Sequence, residues 1–272
     1  MLYTPTLLRS RSFTKIKEKE RMKKRLQATI ALGVVALATL AARGADTKAQ
    51  AAAPATPVFS QLAVDENLVF WGKRNADTVV ELDSTVSGKI FDMLGWHVTV
   101  PVYNQDVTGY GAIDVGLDLN VLKTDFLGAV TNVNLEGGAW MPTGSANFGT
   151  DNVNPHVGVN WDMTWGAVVY TQTFDYRWIG NYAYSPVFGA LTDYAVNAES
   201  FVAYKWASLT VGADLNQWYT SGSDVAFLGP KAVWNVSNNV ELNAGCGFPV
   251  WQNVNAANEN SWNVTLGLGI NF

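Results

Sequence analysis

From about residue 79 to the C-terminus the chain alternates apolar and polar residues with a period of two. That period marks strands whose two faces meet different surroundings. The last twelve residues show it plainly. Trp262, Val264, Leu266, Leu268, Ile270 and Phe272 share one face, while Ser261, Asn263, Thr265, Gly267, Gly269 and Asn271 share the other. The preceding segment sets Val240, Leu242, Ala244, Cys246, Phe248 and Val250 against Glu241, Asn243, Gly245 and Gly247. Earlier, Ile113, Val115, Leu117, Leu119 and Val121 oppose Asp114, Gly116, Asp118 and Asn120. Similar segments cover 79–90, 96–103, 126–140, 156–165, 167–178, 193–206, 208–219 and 225–236, making eleven in all. Each is about ten residues or longer, the length a tilted strand needs to cross a bilayer.

Connections alternate in length as well. Short links fall at Asp92–Gly95, Lys123–Asp125, Gly166, Ala207 and Ser237–Asn239. Longer polar ones fall at Asn104–Gly109, Pro142–Pro155, Ile179–Thr192, Thr220–Asp224 and Asn253–Asn260. Short turns on one side and long loops on the other are the pattern of an up-and-down barrel with a periplasmic and an external end. Parity requires an even strand number. The expected fold is therefore an all-β transmembrane antiparallel barrel of twelve strands, or ten if a weak segment fails. The twelfth strand must come from Val58–Trp71, where Asp65-Glu66 breaks the alternation; a helix or a plug is the alternative there.

The head of the chain differs in charge. Eleven of the 18 Lys/Arg but three of the 23 Asp/Glu lie in residues 1–51, so the remainder carries seven basic and twenty acidic residues. That acidity argues against a nucleic-acid partner. From Met22, Lys23-Lys24-Arg25 precedes a mostly apolar stretch, Leu26–Ala42, and Ala49-Gln50-Ala51 fits a small-residue cleavage site. Residues 22–51 thus read as a secretory signal peptide. Residues 1–21 read as an extended n-region or an upstream start, 52–77 as a linker, first strand or plug, and 78–272 as the barrel.

Tryptophans collect at strand ends. Trp96, Trp165, Trp206 and Trp234 lie at short-turn ends, and Trp140, Trp178, Trp218, Trp251 and Trp262 at long-loop ends, as does Trp71. Two aromatic girdles at the two membrane interfaces are expected of them. A secreted β-sandwich would alternate too, but gives no reason for tryptophan at both ends.

With its signal peptide, its ten-residue amphipathic strands and the terminal Ile270-Asn271-Phe272, the chain resembles Gram-negative outer-membrane β-barrel proteins of the porin-like kind. The resemblance implies a cell outer membrane location, contact with lipid and lipopolysaccharide, and passive diffusion of small hydrophilic solutes. It also implies that Phe272 is the assembly signal read by the barrel-assembly machinery. A structural or adhesive barrel with no open pore is the alternative function, and an outer-membrane barrel enzyme stands behind it.

If the apolar parity faces lipid, the opposite parity faces the lumen. The inward acidic set is Glu81, Asp83, Asp114, Asp118, Glu136, Asp162, Asp175, Glu199, Asp214 and Glu241; the basic set is Lys89, Arg177, Lys205 and Lys231. A net-negative lumen favours cations. Asp114, Asp118, Glu136, Asp162, Asp214, Glu241, Lys89, Arg177 and Lys231 are the candidate selectivity residues. Inward glycines at 245, 247, 267 and 269 are expected to widen the lumen, bend the wall or seat a plug. No catalytic site, cofactor or metal centre is expected. The two histidines, His97 and His156, should lie at opposite ends of the barrel, which leaves no shared base or ligand set.

Overall fold

The computed structural model describes residues 60–272 apart from 105–107, 144–148, 151, 186–188 and 255–258. The signal peptide, its cleavage site and residues 1–21 lie outside the described residues.

The strands in chain order are β1 (Ser60–Lys73), β2 (Val79–Phe91), β3 (Leu94–Asn104), β4 (Thr108–Tyr110), β5 (Ile113–Phe126), β6 (Ala129–Met141) and β7 (Gly149–Thr150). They continue as β8 (Asn154–Trp165), β9 (Val168–Ser185), β10 (Gly189–Trp206), β11 (Leu209–Thr220), β12 (Asp224–Asn235), β13 (Val240–Asn253) and β14 (Asn260–Asn271). β4 and β7 are short rim pieces paired with β3 and β9. The other twelve form one antiparallel ring, each hydrogen-bonded to its neighbours in sequence, and β14 closes on β1 from Ala63↔Asn271 to Lys73↔Asn260. Closure gives each of the twelve strands a hydrogen-bonded partner on both sides, the condition for backbone polar groups to cross a bilayer.

β1 accounts for the weak alternation before residue 72. Asn67, Val69 and Trp71 line the interior. Glu66 has the opposite parity, and Ser84 on β2 donates to it at 2.6 Å. The stretch is a wall strand, with one carboxylate on the outer face.

Turns at the short end are tight. Leu127 and Gly128 have φ of 51° and 76°, and such a two-residue turn with both φ positive matches the right-handed twist of the strands it joins. At the other end one expectation is corrected. Ile179–Thr192 is not a loop: β9 and β10 run on as a hairpin, pairing as far as Ser185↔Gly189. Outer-face residues of the wall are exposed and apolar, with Leu117 at 50%, Val202 at 53% and Phe248 at 58%.

The apolar core sits inside the barrel, toward the long-loop end. Val69, Trp71, Val79, Ile179, Leu191, Ala195, Val225 and Phe227 are buried together, with Tyr103, Trp140 and Trp218 packed against them. Trp71 shares parity with Asn67, and Phe227 with Lys231, so the same face that is polar in mid-barrel turns apolar near its end.

Candidate functional site

The interior holds a cavity of about 590 Å³. Its long-loop end is lined by Val69, Trp71, Tyr103, Trp140, Leu191, Trp218 and Phe227, and it reaches toward the short-turn end, where Val233 and Glu241 line it. Six carboxylates (Glu81, Asp83, Asp114, Glu199, Asp214 and Glu241) and two cations (Arg177 and Lys231) border it. Aromatic and acidic side chains therefore share the cavity wall at the long-loop end, Glu81 lying opposite Val69 and Tyr103 and Asp114 opposite Trp140.

The two kinds of side chain are bonded to each other. Trp71 Nε1 donates to Glu81 Oε2 at 2.8 Å, and Trp140 Nε1 to Asp114 Oδ2 at 3.3 Å. Each indole thus directs its N–H to a carboxylate, the use to which buried tryptophans are suited. Arg177 lies between the rings of Trp140 and Trp218, its guanidinium carbon 4.1 Å and 5.5 Å from their centroids, and it is ion-paired with Asp175. Trp140 and Trp218 are consequently lumen residues, correcting their expected place in the outer girdle. Their parity was available in the sequence: Trp140 aligns with Asn134 and Glu136, Trp218 with Asp214 and Asn216. Trp165, Trp206, Trp234 and Trp251 are exposed near the strand ends, Trp178 is exposed within β9 seven residues short of its end, and Trp96 and Trp262 are half-buried.

On the β3–β9 side the interior is filled by a charge network built on two adjacent lateral rows. One row reads His97, Gly116, Gly138, His156, Arg177 across β3, β5, β6, β8 and β9. The next reads Gly95, Asp118, Glu136, Gly158, Asp175 across the same strands. A cationic or titratable row thus faces an anionic one, two residues apart on every strand. His97 Nδ1 meets Asp118 Oδ2 at 2.9 Å and its Nε2 stands 3.5 Å from Glu136 Oε1. His156 Nε2 meets Asp114 Oδ1 at 2.8 Å, and its Nδ1 lies 3.2 Å from Asp175 Oδ1 and 3.6 Å from Glu136 Oε1.

The glycines between the histidines are what let the rings lie along the wall. A Cβ on Gly116 would sit 2.6 Å from His97 Nε2, and one on Gly138 would sit 2.5 Å from His156 Nε2. The same device recurs at Gly267, paired laterally with Asn243 and Asn67, whose side chains fill the space a Cβ would take. These inward glycines make room for neighbouring polar side chains; no plug from residues 60–73 sits on them.

The placement of the histidines is a second correction. They do not lie at opposite ends: both reach Glu136. His97 is close to the short-turn end of β3, yet it pairs with Gly116, close to the long-loop end of β5, because β5 continues seven residues beyond its last pair with β3 at Leu119↔Leu94. His97, Asp114 and Glu136 each place a donor atom within 4.8 Å of the others'. A ligand set is present where none was expected.

Of the other residues singled out, Lys231 Nζ pairs with Glu199 Oε1 at 2.6 Å beneath the ring of Phe201. Asp214 and Glu241 border the cavity. Asp162 is half-buried on β8 opposite Asn132 and Thr171. Lys89 is exposed near the short-turn end of β2. Neither of the last two joins the network's ion pairs.

Comparison with known structures places this architecture. An outer membrane channel from Pseudomonas putida F1 aligns with a TM-score of 0.61 at 11% identity, over 83% of this chain and 100% of that one. The NanC porin aligns with a TM-score of 0.54 at 10% identity, over 77% of this chain and 98% of its own. The KdgM porin, solved in complex with disordered oligogalacturonate, gives 0.51 at 9% identity, over 77% and 99%. At these identities the likeness is one of fold: a twelve-stranded barrel of the outer-membrane channel and porin kind. No curated protein matches the chain. The sequence profile of the family described as "MetA-pathway of phenol degradation" matches residues 38–271, and the chain belongs to that family.

Proposed function

We propose that the protein is a narrow outer-membrane channel for passive entry of small solutes, that neutral aromatic compounds of phenol size are among those it admits, and that it prefers cations to anions. The observation that carries this reading is the cavity, which sets aromatic side chains beside carboxylates at its long-loop end and carries six carboxylates against two cations on its border. A flat neutral ring gains apolar contact on Trp140, Trp218 and Phe227, and its hydroxyl finds acceptors in the carboxylates beside them. A benzoate or phenolate meets the same carboxylates as like charge, so anions are disfavoured. The family's description gives the aromatic class; the acidic border gives the charge preference. The long loops face outward in this reading, with the aromatic end as the entrance.

Planar-bilayer recording of the refolded barrel tests it. A salt gradient should give a reversal potential of cationic sign, and phenol on the long-loop side should interrupt the current more often than benzoate does. Substituting Trp218→Ala should remove the phenol-dependent interruptions. A barrel that inserts but never conducts overturns the channel reading and leaves the carboxylates as an internal network; conductance that phenol does not touch overturns the aromatic part alone.

A further inference from the structure

We infer that the inner wall carries a binding site for a first-row divalent metal ion of the zinc type, formed by His97 Nε2, Glu136 and Asp114. The separation between His97 Nε2 and Glu136 Oε1 is 3.5 Å. That is long for an N–H···O hydrogen bond, which spans about 2.7–3.2 Å. It matches the edge of a tetrahedron around zinc, about 3.4 Å for bonds of about 2.1 Å. Asp114 supplies a third donor, all three lying within 4.8 Å of one another.

The supporting groups are those of a metal centre. Asp118 can only accept, so its contact with His97 Nδ1 at 2.9 Å places the proton of a neutral ring on Nδ1 and leaves the Nε2 lone pair facing Glu136. A carboxylate behind a histidine is the usual orienting partner of a histidine ligand. Asp114 is fixed through both oxygens, Oδ1 by the fully buried His156 at 2.8 Å and Oδ2 by the Trp140 N–H at 3.3 Å. Gly116 provides the space in which the His97 ring lies, since a Cβ there would overlap it. Charge points the same way. Asp114, Asp118, Glu136 and Asp175 surround the site against Arg177 and the imidazole of His156, so even with that imidazole charged the carboxylates are in excess, and a divalent cation relieves it in a wall of low dielectric. The site is reachable, because Asp114 borders the cavity and the Glu136 side chain is 31% exposed. This inference is independent of whether the barrel conducts.

The test is metal titration of the refolded, chelator-stripped barrel in detergent, with Zn²⁺ followed by calorimetry and Co²⁺ by its visible absorption. One ion should bind per chain, with a Co²⁺ spectrum of low coordination number. His97→Ala and Glu136→Gln should each weaken binding by more than tenfold, and Asp118→Asn by about 10–100-fold. Asp162→Asn, an inward carboxylate on β8 outside the cluster, should bind like the wild type. Heat-shifted gel migration identifies the variants that fold, and His97→Gln stands in where His97→Ala does not. The inference is overturned if the wild type binds no ion saturably, if His97 variants that fold bind as the wild type does, or if Asp162→Asn loses as much affinity as Glu136→Gln.

Discussion

Replacing Gly138 by alanine should cost the barrel far more than replacing its neighbour Gly137, although both lie in mid-wall on β6. At Gly137, an exposed outer-face position, a new Cβ meets nothing within 4 Å. At Gly138 it would lie 2.4 Å from the Val115 carbonyl oxygen, 2.5 Å from His156 Nε2 and 2.8 Å from Gly116 Cα. Ordinary carbon contacts are about 3.5–4.0 Å, so something must move by about 1 Å. The imidazole is held on both sides, by Asp114 at 2.8 Å and Asp175 at 3.2 Å, and the Val115 and Gly116 contacts are backbone. None of them gives easily. Overpacking of this kind costs about 1–3 kcal/mol, whereas Gly137→Ala should be neutral or gain about 0.4–1 kcal/mol from the unfolded chain. With a urea slope of about 2 kcal/mol/M, a loss of about 2 kcal/mol lowers the unfolding midpoint by about 1 M. Urea unfolding of the barrel in phospholipid vesicles, followed by tryptophan fluorescence, measures both. In a His156→Ala background the Gly138→Ala penalty should shrink without vanishing, since the Val115 and Gly116 contacts remain. Equal midpoints for the two alanine variants would show that the glycines are not making room for the imidazoles.

Cation selectivity should respond more to Glu241→Gln, at the cavity border, than to Asp118→Asn, whose charge is engaged by His97; reversal potentials at low salt decide it. The difference should fade as the screening length falls from about 30 Å at 0.01 M to about 8 Å at 0.15 M ionic strength. Arg177→Lys keeps the charge but loses the flat stack against Trp140 and Trp218, so the unfolding midpoint should fall by an amount matching about 0.5–2 kcal/mol; an unchanged midpoint would mean the stack contributes nothing. Cysteine introduced in the Pro142–Pro155 segment should be labelled on intact cells by an impermeant reagent and cysteine at Ser237–Asn239 should not; the reverse pattern would invert the barrel.

Much of the wall was legible because alternation is a local property. Each strand's polar face is written in its own residues, and Leu117, Val202 and Phe248 are exposed on the face their parity assigns. The same rule already placed Trp140 and Trp218 inside. Their association with strand ends suggested the girdle instead, and position along a strand competed with parity as a guide. Parity is the stronger guide, since the pleat gives it no freedom. The β9–β10 hairpin was misread for a different reason. Asn181 and Ser185 are turn-like residues, but β9 and β10 carry their hydrogen-bond ladder as far as Ser185↔Gly189.

The meeting of the histidines depends on something no single strand records. Alternation assigns a residue to a face, but its height in the barrel depends on the stagger between neighbouring strands, and stagger belongs to the ring as a whole. Three strand spacings separate His97 from His156, about 14 Å along a row that climbs at the barrel's tilt of about 35–45°, or about 8–10 Å of height. A histidine near the bottom of β3 and one near the top of β8 can therefore face the same Glu136. The trace of this in the sequence is indirect: Gly116 and Gly138 interrupt the inward face of β5 and β6 at the positions the histidine row crosses, while Asp118 and Glu136 stand two residues away on the same strands. At Gly116 and Gly138 a glycine two residues from an inward carboxylate marks where a neighbour's ring lies flat. Read that way, the inward glycines give the register that the alternation alone leaves open.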